Sequence, residues 1–298
     1  MPYYSDLATN YRNALNQYFR GIVAKEDEAP LASGRAYENH FYKFPNGAYD
    51  LLIQHNLFRR LGTVYQRLNS TITLHMLKPA QDSVKAIHVG EAYLVDSVRE
   101  SNQSIDAHKL GTILLVNRDT VLDMTFDINA YLSSEFAKQF GQKEEQLCLL
   151  GTGKGEPSGL LNQAEVGMTV SELTFDSLKQ LYLSLKPEHR HHGTWLMSDE
   201  TKLLLHQLVD KNNQPIFPYG AKELFGRPIE TSPYMPNTGK VIAFGDMRKY
   251  WLIERHLLCV RALKEPYLME GRVGYQAMER IDGHLTNADA VKVLELTE

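Results

Sequence analysis

Apolar residues recur every fourth position in FDINAYLSSEFAKQFGQKEEQLCLLG, where Ile128, Leu132, Phe136 and Phe140 line one face and Leu147 and Leu150 continue it. This is the period of an amphipathic α-helix. Asp127 sits near the start and Gly151 where a left-handed cap belongs, so the pattern predicts one long helix over 127–150. Nearer the N-terminus, Leu7, Tyr11, Leu15 and Tyr18 or Phe19 share a face ahead of Gly21, predicting a shorter helix. The charged KEDEAPLASGR that follows, residues 25–35, contains Pro and Gly and reads as an extended arm rather than core. A terminal helix on such an arm docks on its own body or on a neighbour, and the body is expected to stay folded without residues 1–35.

From about Thr71 to Val116 the period shortens to two. TITLHML places Ile72, Leu74 and Met76 on one face, and SIDAHKLGTILLV ends in a β-branched run, with the polar RESNQS between them. The reading is a long two-stranded ribbon, which is marginal in water by itself and needs a surface to lie on, such as another subunit.

In the second half FDSLKQLYLSLK and DETKLLLHQLV read as helices, the latter capped by Ser198 with acids in its first turn. GTWLM, KVIAFG, KYWLIER and LCVRAL read as strands, and GRVGYQAMERIDGHLTNADAVKVLEL as a strand pair around a turn at Asp282-Gly283. Helices mixed with meandering strands predict an α+β fold rather than a regularly alternating sheet.

Composition narrows the function classes. The 298 residues, 43% hydrophobic and 23% charged, suit a large folded core. A net charge of -4 gives no general basis for gripping nucleic acid, so any such partner would be met locally or loosely. The two cysteines, Cys148 and Cys259, are far apart and lack a metal-site spacing, which predicts reduced, buried thiols. The first residues have neither the basic start nor the apolar run of a signal peptide, and no apolar run is long enough to span a bilayer. A cytosolic product with no membrane anchor is expected.

LLGTGKGEPSGLLN, residues 149–162, looks like a phosphate loop, but its order is reversed. A phosphate loop follows a strand and opens a helix, whereas this one follows a helix and sits at its negative end. Lys154 is followed by Gly155 instead of Ser or Thr, Glu156 occupies the place of a third dinucleotide-site glycine, and Pro157 interrupts any helix starting there. Gly151, Gly153, Gly155, Pro157 and Gly159 therefore read as a compact structural turn after the long helix. HRHH at 189–192 follows Pro187 and lacks a further ligand at set spacing, so it reads as a solvated loop rather than a metal site. Glu144-Glu145 and Glu254 have no partner at a recognisable spacing, and Ser158 lacks a nucleophile elbow. No catalytic, cofactor-binding or metal-binding constellation is found.

Taken whole, Leu149 to Leu161 resembles the Gly-x-Gly-x-Gly-x-Pro-x-Gly turn of tailed-phage major capsid proteins of the Hong Kong 97-type fold. Trp195-Leu196-Met197-Ser198, LFGRPIETSPYMP at 224–236, IAFGDMRKYWLIER at 242–255 and RIDGHLTNADAVKVL resemble further segments of that family, in order, from about Ala86 to the C-terminus. The resemblance implies an N-terminal arm at 1–40 and an extended loop at 71–116. It implies a peripheral domain from 41–70, 117–165 (helix 127–150) and 255–298, and an axial domain at 166–254. It further implies a non-enzymatic shell subunit that assembles as pentamers and hexamers, its ribbon lying across a neighbour, around packaged double-stranded DNA that is bound without sequence specificity. A virion location, assembly in the host cytoplasm, a portal, and no membrane and no cofactor go with it. Many relatives carry a scaffolding extension that a protease removes; the chain starts at Met1 without one, so a separate scaffolding protein or a trimmed chain is expected. Some relatives join subunits by Lys–Asn bonds. Lys78, Lys85 and Lys109 lie in the ribbon region, but YLMEGRVG offers no Asn acceptor, so self-crosslinking is not expected. The alternative on the same fold is an encapsulin-type compartment enclosing a cargo enzyme.

Overall fold

The computed structural model describes residues 3–21, 31, 35–37, 41–44, 46–66, 72–78, 87–88, 99–105, 107–208, 217–218 and 220–297. The first half runs α1 (Tyr3–Arg20), β1 (Arg35–Tyr37), β2 (Phe41–Lys43), α2 (Asn46–Gln54), α3 (Leu57–Leu61), β3 (Thr63–Gln66), β4 (Ile72–Lys78), β5 (Arg99–Ile105), β6 (His108–Asn117), α4 (Arg118–Leu122) and α5 (Ile128–Leu150). After it come α6 (Leu160–Gln163), β7 (Glu165–Val170), α7 (Phe175–Ser184), α8 (Pro187–Arg190), β8 (Thr194–Met197) and α9 (Asp199–His206). The chain closes with β9 (Glu223–Leu224), β10 (Arg227–Thr231), β11 (Gly239–Gly245), β12 (Tyr250–Leu263), β13 (Arg272–Leu285) and β14 (Val291–Leu296). This is the α+β mixture that the patterning predicts.

Two six-stranded sheets organise the body. The first has the order β1-β2-β12-β13-β6, and β3 pairs in parallel with β12 beyond the short stretch that β2 occupies. The second has the order β7-β14-β11-β8-β10-β9. Each is lined by its own cluster of apolar residues, and a middle cluster draws Tyr250, Leu252 and Ile281 from the first sheet and Leu196, Ala243 and Val293 from the second. The two sheets therefore share a core.

The long helix begins as its pattern dictates: the Asp127 carboxylate accepts the Ala130 N–H at 3.0 Å. Ile128, Leu132 and Phe136 are fully buried against Tyr275, Ala277 and Val260 of the first sheet. Toward the C-terminal end Leu147 stays buried, but Cys148 and Leu149 take over the inner face and Leu150 is exposed. Gly151 is not a left-handed cap either. Its φ is -55°, and a Cβ there would collide with the Pro157 and Leu147 carbonyl oxygens.

α1 departs from the expectation of a dispensable arm. Ala14, Leu15 and Phe19 have no exposed surface and complete the cluster under the first sheet. The Tyr275 hydroxyl donates to the Phe19 carbonyl at 2.9 Å, and the Arg20 guanidinium donates to the carbonyls of Val121, Asp123 and Phe126. Deleting 1–35 would open the core, so that expectation is overturned. Residues 25–30 and 32–34 of the arm lie outside the described residues.

The ribbon also differs in its limits. RESNQS is not a connection but strand β5 itself, paired antiparallel with β4 from Ile72↔Ile105 to Lys78↔Arg99. RESNQS carries no apolar alternation, so the period-two pattern gave no sign of this strand. After Ile105 the chain leaves the ribbon, and β6 joins the first sheet along β13. Residues 79–86 and 89–98, with Lys85, lie outside the described residues. Lys78 ends β4, and Lys109 stands exposed on β6.

Three further expectations are corrected. KYWLIER and LCVRAL form one strand, β12, because irregularities between Glu254 and Cys259 absorb the residues that break its alternation. Asp282-Gly283 is no turn: both lie inside β13 opposite Ile253 and Leu252, and Gly283 is bare because a Cβ would strike the Tyr250 hydroxyl. The break comes at Asn287, whose side chain accepts the Asp289 N–H, and β14 then crosses to the second sheet. The C-terminal strands are thus divided between the sheets, and the expected boundary at 254/255 falls inside β12. His189 is buried in the short helix α8, not solvated, with its Nε2 against the Asn287 amide; His191 and His192 are exposed.

Candidate functional site

The segment between the long helix and the second sheet is built as a closed elbow. Gly151 and Gly159 pack backbone to backbone, and the Gly159 N–H donates to the Gly151 carbonyl at 2.8 Å. Gly153 and Gly155 take φ of +74° and +75°, the left-handed region that side-chain-bearing residues resist. Pro157 is buried, and its carbonyl accepts the Gly153 N–H. These contacts close the segment into a turn.

Several of the loop's donors are engaged within it. The Thr152 N–H and hydroxyl both donate to one Glu156 oxygen at 2.9 Å, and the Lys154 N–H points to the Thr152 hydroxyl. Those two donors also hold the Glu156 carboxyl below its ordinary range. A phosphate brought here would meet an ionised carboxylate and the carbonyl end of α5. The orphan carbonyls of that helix end are also occupied, since the Asn162 amide donates to those of Leu150 and Gly151 at 3.0 and 2.8 Å. Isothermal titration with a nucleoside triphosphate is therefore expected to show no binding, and Lys154→Ala, at an exposed side chain, to leave the thermal midpoint unchanged.

Around the elbow, hydrogen bonds run to both sheets. The Tyr250 hydroxyl donates to the Ser158 carbonyl at 2.8 Å, and the Ser158 N–H donates to the Gly283 carbonyl at 3.1 Å. On the far side the Lys240 ammonium of β11 donates to the Leu161 carbonyl. Leu160 and Leu161 fill the shared middle cluster. One short segment thereby sets the angle between the long helix and the second sheet. Ser158 contributes its backbone to this, and its position on a reversing loop is not that of a nucleophile.

Next to the elbow, the two glutamates with no partner in sequence find partners in space. The Glu145 carboxylate accepts the Leu57 N–H at 2.8 Å and the Ser232 hydroxyl at 2.6 Å, tying α5 to α3 and to the exit of β10. Glu144 points the other way. It receives the Arg59 guanidinium through two bonds of 2.5 and 2.6 Å and the Asn56 amide at 2.6 Å, while Arg59 also donates to Glu254. Glu279 of β13 completes the group, its carboxyl set against that of Glu144. Arg59, Glu144, Glu254 and Glu279 are all buried.

Electrostatics separates these groups. Burial opposes the Arg59 charge, but Glu144 and Glu254 outweigh it and hold the guanidinium well above its ordinary range. Burial pushes the Glu254 carboxyl up, against the pull of Arg59. Burial and then the Glu144 charge push Glu279 up much further. Arg59 and Glu279 carry no local motif. The available signal is a glutamate among Val273, Tyr275, Ala277 and Ile281, on the apolar period-two face of a strand.

The thiols match their expected character. Cys148 and Cys259 are buried and unpaired, and burial pushes the Cys259 thiol up to about 12. Among the described residues no group of three His, Cys, Asp or Glu side chains could hold a metal, and no helix is long and apolar enough to cross a membrane.

A fold that joins two sheets through a glycine elbow at the end of a long helix is a recognisable one. The model of the phage capsid family matches residues 45–296. This chain belongs to that family. It is a shell-forming structural protein of the Hong Kong 97-type fold, a component of a virion or particle that assembles in many copies. No curated protein matches the chain. Solved structures of similar fold include the capsid of an empty GTA particle, with a TM-score of 0.71 and 21% identity over 82% of this chain and 90% of that one. Microbacterium phage Oxtober96 gives 0.63 and 16% over 81% and 91%. The satellite phage P4 procapsid, which includes a size determination protein, gives 0.57 and 9% over 84% and 98%. In this capsid subunit the elbow and the buried charges tie helix, strands and sheets to one another.

Proposed function

We infer that the subunit assembles as pentamers and hexamers into a closed icosahedral shell around double-stranded DNA held without sequence-specific contacts. The observation that carries this reading is the ribbon of β4 and β5, which forms a sheet of its own. Two strands alone are marginal in water. Laid across a neighbouring subunit, they gain the missing surface, and the same contact repeated around a rotation axis closes a ring. In this reading the first sheet with α5 is the peripheral domain, the second sheet is the axial domain, and the ribbon is the extended loop. A separate scaffolding protein and a portal serve assembly. The net charge of -4 suits a container wall that leaves its DNA free. Nothing in the comparisons favours the cargo compartment.

The test is expression of the full chain alone, followed by size-exclusion chromatography and negative-stain electron microscopy. Closed, uniform shells, or rings that close once a scaffolding protein is added, are the expected result. Monomers that form no shell with or without that partner would overturn the reading.

A further inference from the structure

Around Arg59 the charges do not balance. One guanidinium faces three buried carboxyl groups, drawn from α5, β12 and β13. The Glu144 and Glu279 carboxyls are set against one another, and two ionised carboxylates, both acceptors, could make no hydrogen bond there. Two buried oxygens, Oε2 of Glu254 and Oε1 of Glu279, have no hydrogen-bond partner among the described residues. For an ionised group that is the costly arrangement; for a neutral acid it is much less so. We propose that Glu279 is a neutral carboxylic acid that donates its proton to Glu144, and that this shared proton latches α3 and α5 to the first sheet.

The groups facing the latch come from every element around it. Arg59 of α3, Glu144 of α5 and Glu254 of β12 surround Glu279 directly. Tyr49 of α2 lies against the guanidinium, its ring centre 5.3 Å away, and Gln66 of β3 reaches Glu254. Cys259 of β12 lies toward Glu279 with Lys109 and Lys43 beyond it. Arg59 is the cation in direct contact with the acids, and Glu144 and Glu254 already engage it. Ionising Glu279 would put a third negative charge beside them with no cation left to receive it.

The direction of the pH effect follows. The folded chain keeps the Glu279 proton above the range in which the unfolded chain releases it. The latch therefore contributes fully below the ordinary glutamate value, and its contribution is lost as pH rises through the higher folded value. This differs from acid-induced loosening, where carboxylates must gain protons.

Infrared spectroscopy of the full-length chain reads the proton itself. At about pH 7, where exposed carboxyls are ionised, a protonated-carboxyl band is expected in the wild type; it should vanish in Glu279→Gln and persist in Glu254→Gln. In parallel, the thermal midpoint of Glu279→Gln should equal that of the wild type near about pH 5 and exceed it by a few degrees near about pH 9. The amide keeps the donor and has no proton to lose. Absence of the band in the wild type would overturn the proposal, and needs no variant to fold. A band removed by Glu254→Gln and retained in Glu279→Gln, or a Glu279→Gln midpoint lowered equally at both pH values, would also overturn it.

Discussion

Removing residues 1–21 is expected to unfold the subunit rather than merely weaken its assembly. The deletion strips Ala14, Leu15 and Phe19 from a cluster in which all three are fully buried, leaving Phe136, Leu132 and Tyr275 beside an open cavity. A buried Leu and a buried Phe each contribute about 2–5 kcal/mol when judged by truncation. Arg20 leaves with them, and the carbonyls of Val121, Asp123 and Phe126 lose their donor at the approach to the long helix. Together these losses are comparable with the whole stability of an ordinary domain, about 5–15 kcal/mol. Circular dichroism of the truncated chain should show no cooperative thermal transition. A truncated chain with native ellipticity and an unchanged midpoint would show that α1 is not part of the folding core.

Arg59→Met is expected to cost about 3–5 kcal/mol at neutral pH, which for a chain of this size is a fall in midpoint of roughly 6–20 °C. The methionine fills much of the volume, so packing is not the main loss. What remains is Glu144 and Glu254, buried and deprived of the cation they share. Such carboxyls relieve the strain by binding protons, so their values in the folded variant rise above the unfolded ones. The sign then follows: the variant's deficit should shrink as pH falls toward the ordinary glutamate range and grow as pH rises. Urea unfolding at about pH 7 and about pH 5 measures it. A deficit that is the same at both would mean that lost packing, not unpaired charge, is responsible.

Both variants act on contacts between residues far apart in the chain, and this is where reading the sequence stopped. Local signals were legible. The four-residue recurrence from Ile128 to Phe140 marked the long helix, and Ser198 ahead of two acids marked α9, whose Thr201 N–H the serine does accept. The glycine and proline spacing after that helix marked a turn and, by its likeness to a known signature, the family. Of the ribbon only β4 was legible, through Ile72, Leu74 and Met76; RESNQS was read as the connection because it carries no apolar alternation, and the apolar run beyond it belongs to β6 of the first sheet.

Asp282-Gly283 misled for a related reason. A turn and a close approach both call for glycine, and the dipeptide does not say which; Tyr250, packed on it from the neighbouring strand, decides. Glu144 and Arg59 are 85 positions apart, and Arg59 and Glu254 are 195 apart. No spacing rule spans such separations. What the sequence determined by itself was the long helix, α9 with its serine cap and the glycine-rich break after the long helix, because backbone preference and hydrophobic period act over a few residues. The tertiary structure alone decided which strand joined which sheet, that α1 became core, and that four charged groups met out of water. Those outcomes depend on the free energy of burial, which is settled only when distant segments pack together.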